Sequence, residues 1–167
     1  MDHARRRVAQ TMTRGLRRAG EGEDWAAVLR LIRDSFAYMD ARIDPPSSMH
    51  RLTVAGTARA AREGEVWLIG APVVACMFLA CRPDALYIGK VAVAVSERRK
   101  GLARLLIATA EDRARALGLA RLTLQTRVEL TELHIAYHAL GFHPAGTAAH
   151  AGYDRPTSVL FDRQVLP

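Results

Sequence analysis

The segment Leu86–Leu117 limits the fold more than any other stretch of this chain. Leu-Tyr-Ile-Gly-Lys-Val-Ala-Val at 86–93 is an apolar strand, and Ser96-Glu97-Arg98-Arg99-Lys100-Gly101-Leu102-Ala103-Arg104 follows it closely. From there Ala103, Leu106, Ile107, Ala110, Ala114 and Leu117 recur at helical spacing, with Arg104, Glu111, Asp112 and Arg115 on the other side. Gly118 suits the position just past the helix end. Leu122–Gln125 then alternates as a strand. A strand, a helix and a second strand in this order form a crossover that makes the two strands parallel. The helix opens directly from a loop of cations and a glycine. Free backbone N–H groups at such a start form a site for a phosphorylated ligand.

The remaining elements arrange themselves around that unit. Thr13–Arg18 has a weak strand pattern. Glu23 and Asp24 place acids where a helix begins, and Trp25, Val28, Leu29, Ile32 and Phe36 mark its apolar face to about Met39. Asp44-Pro45-Pro46-Ser47-Ser48 stops that helix, and either serine caps a second one over about Met49–Arg62, closed by Gly64. Val66–Ile69 and Val73–Ala80 are strands joined by Gly70-Ala71-Pro72, and Arg82-Pro83-Asp84 turns into the strand at Leu86. Because Val73–Ala80 is apolar on both faces, it belongs in the middle of a covered sheet. Thr131–Leu140 is a helix ended by Gly141; Phe142 onward and Thr157–Val165 form a closing antiparallel pair. The expected fold class is α/β (α+β): a mixed, mostly antiparallel sheet with one parallel pair, flanked by about four helices. Residues 1–167 are expected to form a single domain, with 1–12 a basic tail, a length that suits the usual ~50–250 residues of one domain.

The net charge of +7 is almost entirely arginine, since Lys90 and Lys100 are the only lysines. Such a balance fits a polyanionic small molecule, nucleic acid or anionic lipid. Nucleic acid is not expected, because the arginines have no aromatic stacking positions beside them. The longest apolar run, Val73–Cys81, is about half of the ~18 residues a membrane span needs, so no membrane association is expected. Cys76 and Cys81 lie in that run and read as small buried side chains in a reducing compartment. Met1–Gly20 lacks the apolar core of a secretory signal, and a cytoplasmic location is expected. His134 and His138 stand four apart without a third ligand, so no metal is expected.

Arg98–Ala103 fits Arg/Gln-x-x-Gly-x-Gly/Ala and resembles the acetyl-CoA signature of the GNAT (GCN5-related N-acetyltransferase) superfamily. Gly101 and the small Ala103 let the amides of Arg99, Lys100, Gly101, Leu102 and Ala103 approach a pyrophosphate, and Arg98, Arg99, Lys100 and Arg104 add positive charge. The resemblance implies acetyl-CoA as cosubstrate and a GNAT-type sheet whose parallel strands splay to admit the pantetheine arm. It further implies that main-chain groups of Val91, Ala92 and Val93 bond that arm, with the Val93 N–H polarising the acetyl carbonyl in the manner of an oxyanion hole. Ala136-Tyr137-His138-Ala139-Leu140-Gly141-Phe142 resembles the family's late motif, in which a tyrosine precedes Gly-Phe by four residues. By that likeness Tyr137 contacts the cofactor and is the general acid for the departing thiolate. Phe142 reads as core.

Two departures from the family pattern stand out. Leu130 and Leu133 occupy the places where many members carry a cofactor-binding asparagine, with Thr131 or His134 as replacements. No carboxylate base lies on the central strand; Tyr87 takes its approximate place, with Lys90 nearby, so deprotonation of the amine falls through water to Glu129, Glu132 or a histidine. The acceptor pocket is expected between the loop joining the first two helices, the strand end at Gln125 and the last hairpin. Those regions hold Arg42, Asp44, Ser47, Ser48, Arg127, Glu129, His150, Tyr153, Asp154 and Arg155; Asp44, Ser48, Tyr87, Glu129 and Tyr153 are the substrate candidates. Asp44 and Ser48 read equally well as turn and cap residues. The implied activity is direct acetyl transfer to a small-molecule or peptide amine, since neither cysteine sits where a nucleophile is expected; the alternative is a non-catalytic CoA-binding regulatory module. A homodimer through the late strands is the family's common arrangement.

Overall fold

Apolar side chains alternate between two layers of helices, and a seven-stranded sheet lies between them. The computed structural model describes residues 15–167, so the basic tail lies outside the described residues. Its strands are β1 (Leu16–Arg18), β2 (Glu65–Ile69), β3 (Ala75–Cys81), β4 (Leu86–Val93), β5 (Arg121–Arg127), β6 (His143–Ala148) and β7 (Ser158–Gln164). They order as β1-β2-β3-β4-β5-β7-β6, and every neighbouring pair is antiparallel except β4 and β5. The helices are α1 (Trp25–Phe36), α2 (Val54–Glu63), α3 (Leu102–Ala116) and α4 (Thr131–Ala139).

On β3, Cys76 faces the layer of α1 with Val28, Leu31 and Ile32, whereas Ala75 and Met77 face that of α3 with Leu106, Ile107 and Ala110. This strand is therefore covered on both faces, as its continuous apolar run requires. Burying each large side chain contributes ~1.5–3 kcal/mol. Asp24 caps α1 by accepting the Ala27 N–H at 3.0 Å.

Several sequence expectations need correction. The second helix begins at Val54, not near Met49, and its cap is Thr53, which accepts the Gly56 N–H at 3.0 Å. Ser47 caps only a short 3-10 turn over Ser48–Arg51, because Leu52 is extended and breaks the helix before Thr53. Leu117, the residue just past α3, is exposed, and Ala103 is only half-buried. Cys76 is buried, but Cys81 is exposed as the last residue of β3.

Gly64 ends α2 where the chain passes β3, and a Cβ there would lie 2.2 Å from the Leu79 carbonyl oxygen. Backbone cannot yield as a side-chain tip would. Gly64→Ala is expected to cost about 2 kcal/mol, the usual scale for an overpacked contact, and to lower the thermal melting midpoint by roughly 4–8 °C.

Candidate active site

β4 and β5 begin side by side and then part. They pair only at Leu86–Leu122 and Tyr87–Thr123, although both strands continue well beyond. The cause lies in β4. Cys76 pairs with Ala92 but Phe78 with Gly89, so an extra residue is inserted in β4 between these pairs. Lys90 sits at φ 48°, the left-handed backbone typical of a bulge. One inserted residue reverses which face each later side chain meets. Leu86 and Ile88 accordingly join the core under α3, whereas Ala92 joins the core under α1.

The same bulge aims the main chain. The Ala94 N–H donates to Val74 O at 2.8 Å, toward β3. Strand peptides alternate direction, so the Val93 N–H and C=O point toward β5, where no paired strand remains. The Val93 carbonyl accepts the Ser35 hydroxyl at 3.3 Å and Arg98 Nε at 3.4 Å.

At the mouth of this gap the chain turns through Arg99 at φ 63° and Gly101 at φ 84° into α3. No side chain caps α3; the first bond of the helix runs from the Leu105 N–H to Gly101 O at 3.0 Å. The amides of Leu102, Ala103 and Arg104 therefore lack intrahelical partners and point out of the helix end, a ready anion site. The cations around it differ in use. Arg98 is turned inward onto Val93 O and, at 3.2 Å, Ser35 O, and Lys100 pairs with Glu97 at 3.1 Å. Arg99 and Arg104 are exposed.

Tyr137 stands on α4, half-buried, with its ring edge-on to Phe142 at 5.8 Å. Burial, and then the nearby Tyr38 and Tyr87 hydroxyls, push its phenol up to about 12. It holds its proton throughout the neutral range. Tyr87, at the point where β4 and β5 part, lies under the Arg82 guanidinium at 5.1 Å, and burial raises its phenol as well. Tyr38 was not among the sequence candidates. It follows α1, and Arg42 and Arg98 each stand 5.9 Å from its ring centre. Its only sequence signal was an aromatic just after the α1 apolar face.

Three loops converge beyond the gap: α1–α2, β5–α4 and β6–β7. Asp44 accepts the Tyr153 hydroxyl at 2.6 Å and Arg155 Nη2 at 3.2 Å, and its own N–H meets Glu129 Oε1 at 3.4 Å. Arg42 grips Glu132 through both terminal nitrogens, and these hydrogen bonds hold that carboxyl down at about 2. Arg127 Nη2 donates to Pro46 O at 3.1 Å. The structure thus brings Asp44, Glu129 and Tyr153 together, but Ser48 is exposed at the start of the 3-10 turn. His134 Nε2 meets Arg127 O at 3.0 Å, and Leu130 is buried at the N-terminus of α4. Lys90 is half-buried 5.9 Å from the Phe78 ring centre, with burial lowering its pKa. Among the described residues no group of three or more His, Cys, Asp or Glu side chains is placed to hold a metal ion.

Known structures share this architecture. PaiA N-acetyltransferase from Thermoplasma acidophilum, solved with coenzyme A, superposes with a TM-score of 0.74 at 11% identity, covering 89% of this chain and 98% of that one. An acetyltransferase from Streptococcus agalactiae gives 0.68 at 19% identity over 90% and 98%. The ribosomal-protein-S18-alanine N-acetyltransferase of Escherichia coli gives 0.65 at 17% identity over 90% and 94%. At these identities the likeness is one of fold. No curated protein sequence matches the chain. The family model described as acetyltransferase (GNAT) matches residues 21–142, most of the chain, and with the parted β4–β5 pair this places the protein in the GNAT acetyltransferase family.

Proposed function

We propose that the protein moves an acetyl group directly from acetyl-CoA to a primary amine. The observation that carries this reading is the gap between β4 and β5. The Val93 N–H faces it, the uncapped start of α3 lies at its mouth, and Tyr137 comes from α4 with its proton retained. The amides from Arg99 to Arg104 take the cofactor's pyrophosphate, with Arg99, Arg104 and Lys100 around it; Arg98 serves instead to tie Val93 to the end of α1. The peptide groups of Val91, Ala92 and Val93 receive the pantetheine arm.

In the transfer, the amine lone pair forms the new C–N bond at the thioester carbonyl, and charge develops on its oxygen. A fixed N–H at Val93 stabilises that charge, a contribution of ~3–4 kcal/mol in comparable sites. The C–S bond then breaks as Tyr137 gives its proton to the sulfur; the nitrogen releases one proton to a base, and exchange with solvent returns a proton to the phenolate. A covalent route through cysteine is disfavoured: burial pushes the Cys76 thiol up to about 12, and Cys81 lies at the outer end of β3. Glu132 is tied up by Arg42, which leaves Glu129 as the carboxylate to receive the amine's proton.

Acetyl-CoA at about 100 times its Kd adds ~2.7 kcal/mol to a protein it binds. It is expected to raise the melting midpoint by roughly 5–11 °C. An unchanged midpoint at millimolar acetyl-CoA sinks the proposal.

A further inference from the structure

Where the three loops meet, six charged side chains converge: Arg42, Arg127, Arg155, Asp44, Glu129 and Glu132. Four of them satisfy one another, Arg42 with Glu132 and Arg155 with Asp44. Arg127 and Glu129 are left, each anchored at one end of its head group. Arg127 spends Nη2 on Pro46 O at 3.1 Å, and its Nη1 is buried without a hydrogen-bond partner. Glu129 spends Oε1 on the Asp44 N–H at 3.4 Å, with Arg155 Nη1 at 4.0 Å, and its Oε2 is buried without a partner too. Leaving one end of a charged group buried and unpaired is costly, and folded proteins do so rarely. Here a cationic donor and an anionic acceptor are both left open, two residues apart in a turn that the Leu130 N–H closes on Arg127 O at 3.2 Å.

We infer that the acceptor carries a carboxylate a few bonds from its amine, an α-amino acid being the simplest case. Glu129 Oε2 receives the ammonium and Arg127 Nη1 the carboxylate. This assignment rests on the acetyl-transfer reading for its location and extends that reading to a substrate class. Both open atoms are closed off from solvent, so the acceptor enters by parting Asp44 from Tyr153 and Arg155. Those contacts lie at the exposed surface, where such pairs contribute little, and the opening is inexpensive.

The test pairs alanine, leucine, serine, lysine and glutamate each with its own α-carboxamide. Two readouts are taken on the full chain: thermal stabilisation, with and without CoA, and acetyl-CoA turnover. The free acids are expected to stabilise the protein more than the amides, and to exceed them ~10-fold or more in kcat/KM, the scale of one charge-assisted contact. Arg127→Gln should bring that ratio to about one, and Arg127→Lys should retain part of it. Equal responses to acid and amide in the unaltered protein for every pair overturn the inference, as does a ratio that Arg127→Gln leaves unchanged. A stability change in Arg127→Gln that is the same with acid and amide marks the open atoms as a buried-water site and also overturns it. Acid-selective stabilisation without turnover upholds the substrate class and counts against catalysis. Turnover without acid preference does the reverse.

Discussion

Tyr137→Phe is expected to lower kcat by ~10²–10⁴-fold, the range that a positioned proton donor contributes. Stabilisation by acetyl-CoA should be unchanged, because phenylalanine keeps the ring and its edge-on contact with Phe142 at 5.8 Å. The phenol is pushed up to about 12 by burial and its two tyrosine neighbours, so the acid form dominates at every ordinary assay pH. A kcat profile measured from pH 6 to 10 should therefore show no fall due to Tyr137 ionisation. An acid-side rise there would report deprotonation of the amine. If Tyr137→Phe turns over at the unaltered rate, another group protonates the thiolate and Tyr137 is a packing residue. Loss of acetyl-CoA stabilisation along with activity would instead make it part of the cofactor seat.

Tyr38 borders the same site from a different side. Its ring has Arg98 from the phosphate loop near it and Arg42, the partner of Glu132, likewise. It thus spans the proposed cofactor and acceptor halves of the site. The sequence offered no reason to single it out, because a tyrosine two residues past an amphipathic helix is usually a surface side chain.

Legibility followed the range of the interactions. Periodicity over Leu86–Leu117 marked β4, α3 and the loop between them, since each is decided by neighbours a few residues away. The crossover rule then made β4 and β5 parallel, as they are. Bulge formation at Lys90 left no such trace, because a lysine at positive φ has no sequence signature comparable to glycine's. The capping error had a local cause as well: Ser47 does cap a turn, but extended Leu52 stops that turn from propagating into α2. At the acceptor junction the loops were foreseeable from their prolines and polar side chains, whereas the pairing was not. Asp44 reaches Tyr153 and Arg155 across more than a hundred residues of chain. Which charges are spent on each other and which are left open is a tertiary fact, and the proposed acceptor class rests on that open pair.

The largest effect on stability is expected at Glu65, which no sequence pattern distinguished. Its carboxylate accepts Arg113 Nη2 at 2.7 Å and Nε at 2.9 Å, and Trp67 Nε1 at 2.8 Å; Arg18 stands 3.4 Å away. One mostly buried side chain thereby ties β1, β2 and α3 together. Burial alone would raise its pKa, but the hydrogen bonds from Arg113 and Trp67, with the charges of Arg18 and Arg113, hold it below the ordinary carboxylate value. The folded protein therefore prefers the charged form. The stabilisation is complete above the unfolded-state pKa and is lost as pH falls through the lower folded-state value. Glu65→Gln keeps the shape and removes the charge, leaving Arg113 and Arg18 without it. A loss of about 3 kcal/mol is expected, the low end for breaking a buried pair, and a melting midpoint lower by roughly 6–12 °C. The acid side of the stability profile should flatten in that variant. Replacing both partners, Glu65→Leu with Arg113→Leu, should recover much of the loss, because an apolar pair leaves no buried charge without a counter-charge. A loss under ~1 kcal/mol in Glu65→Gln would place the pair with ordinary surface bridges, and the tie between α3 and β2 would then have to come from apolar packing alone.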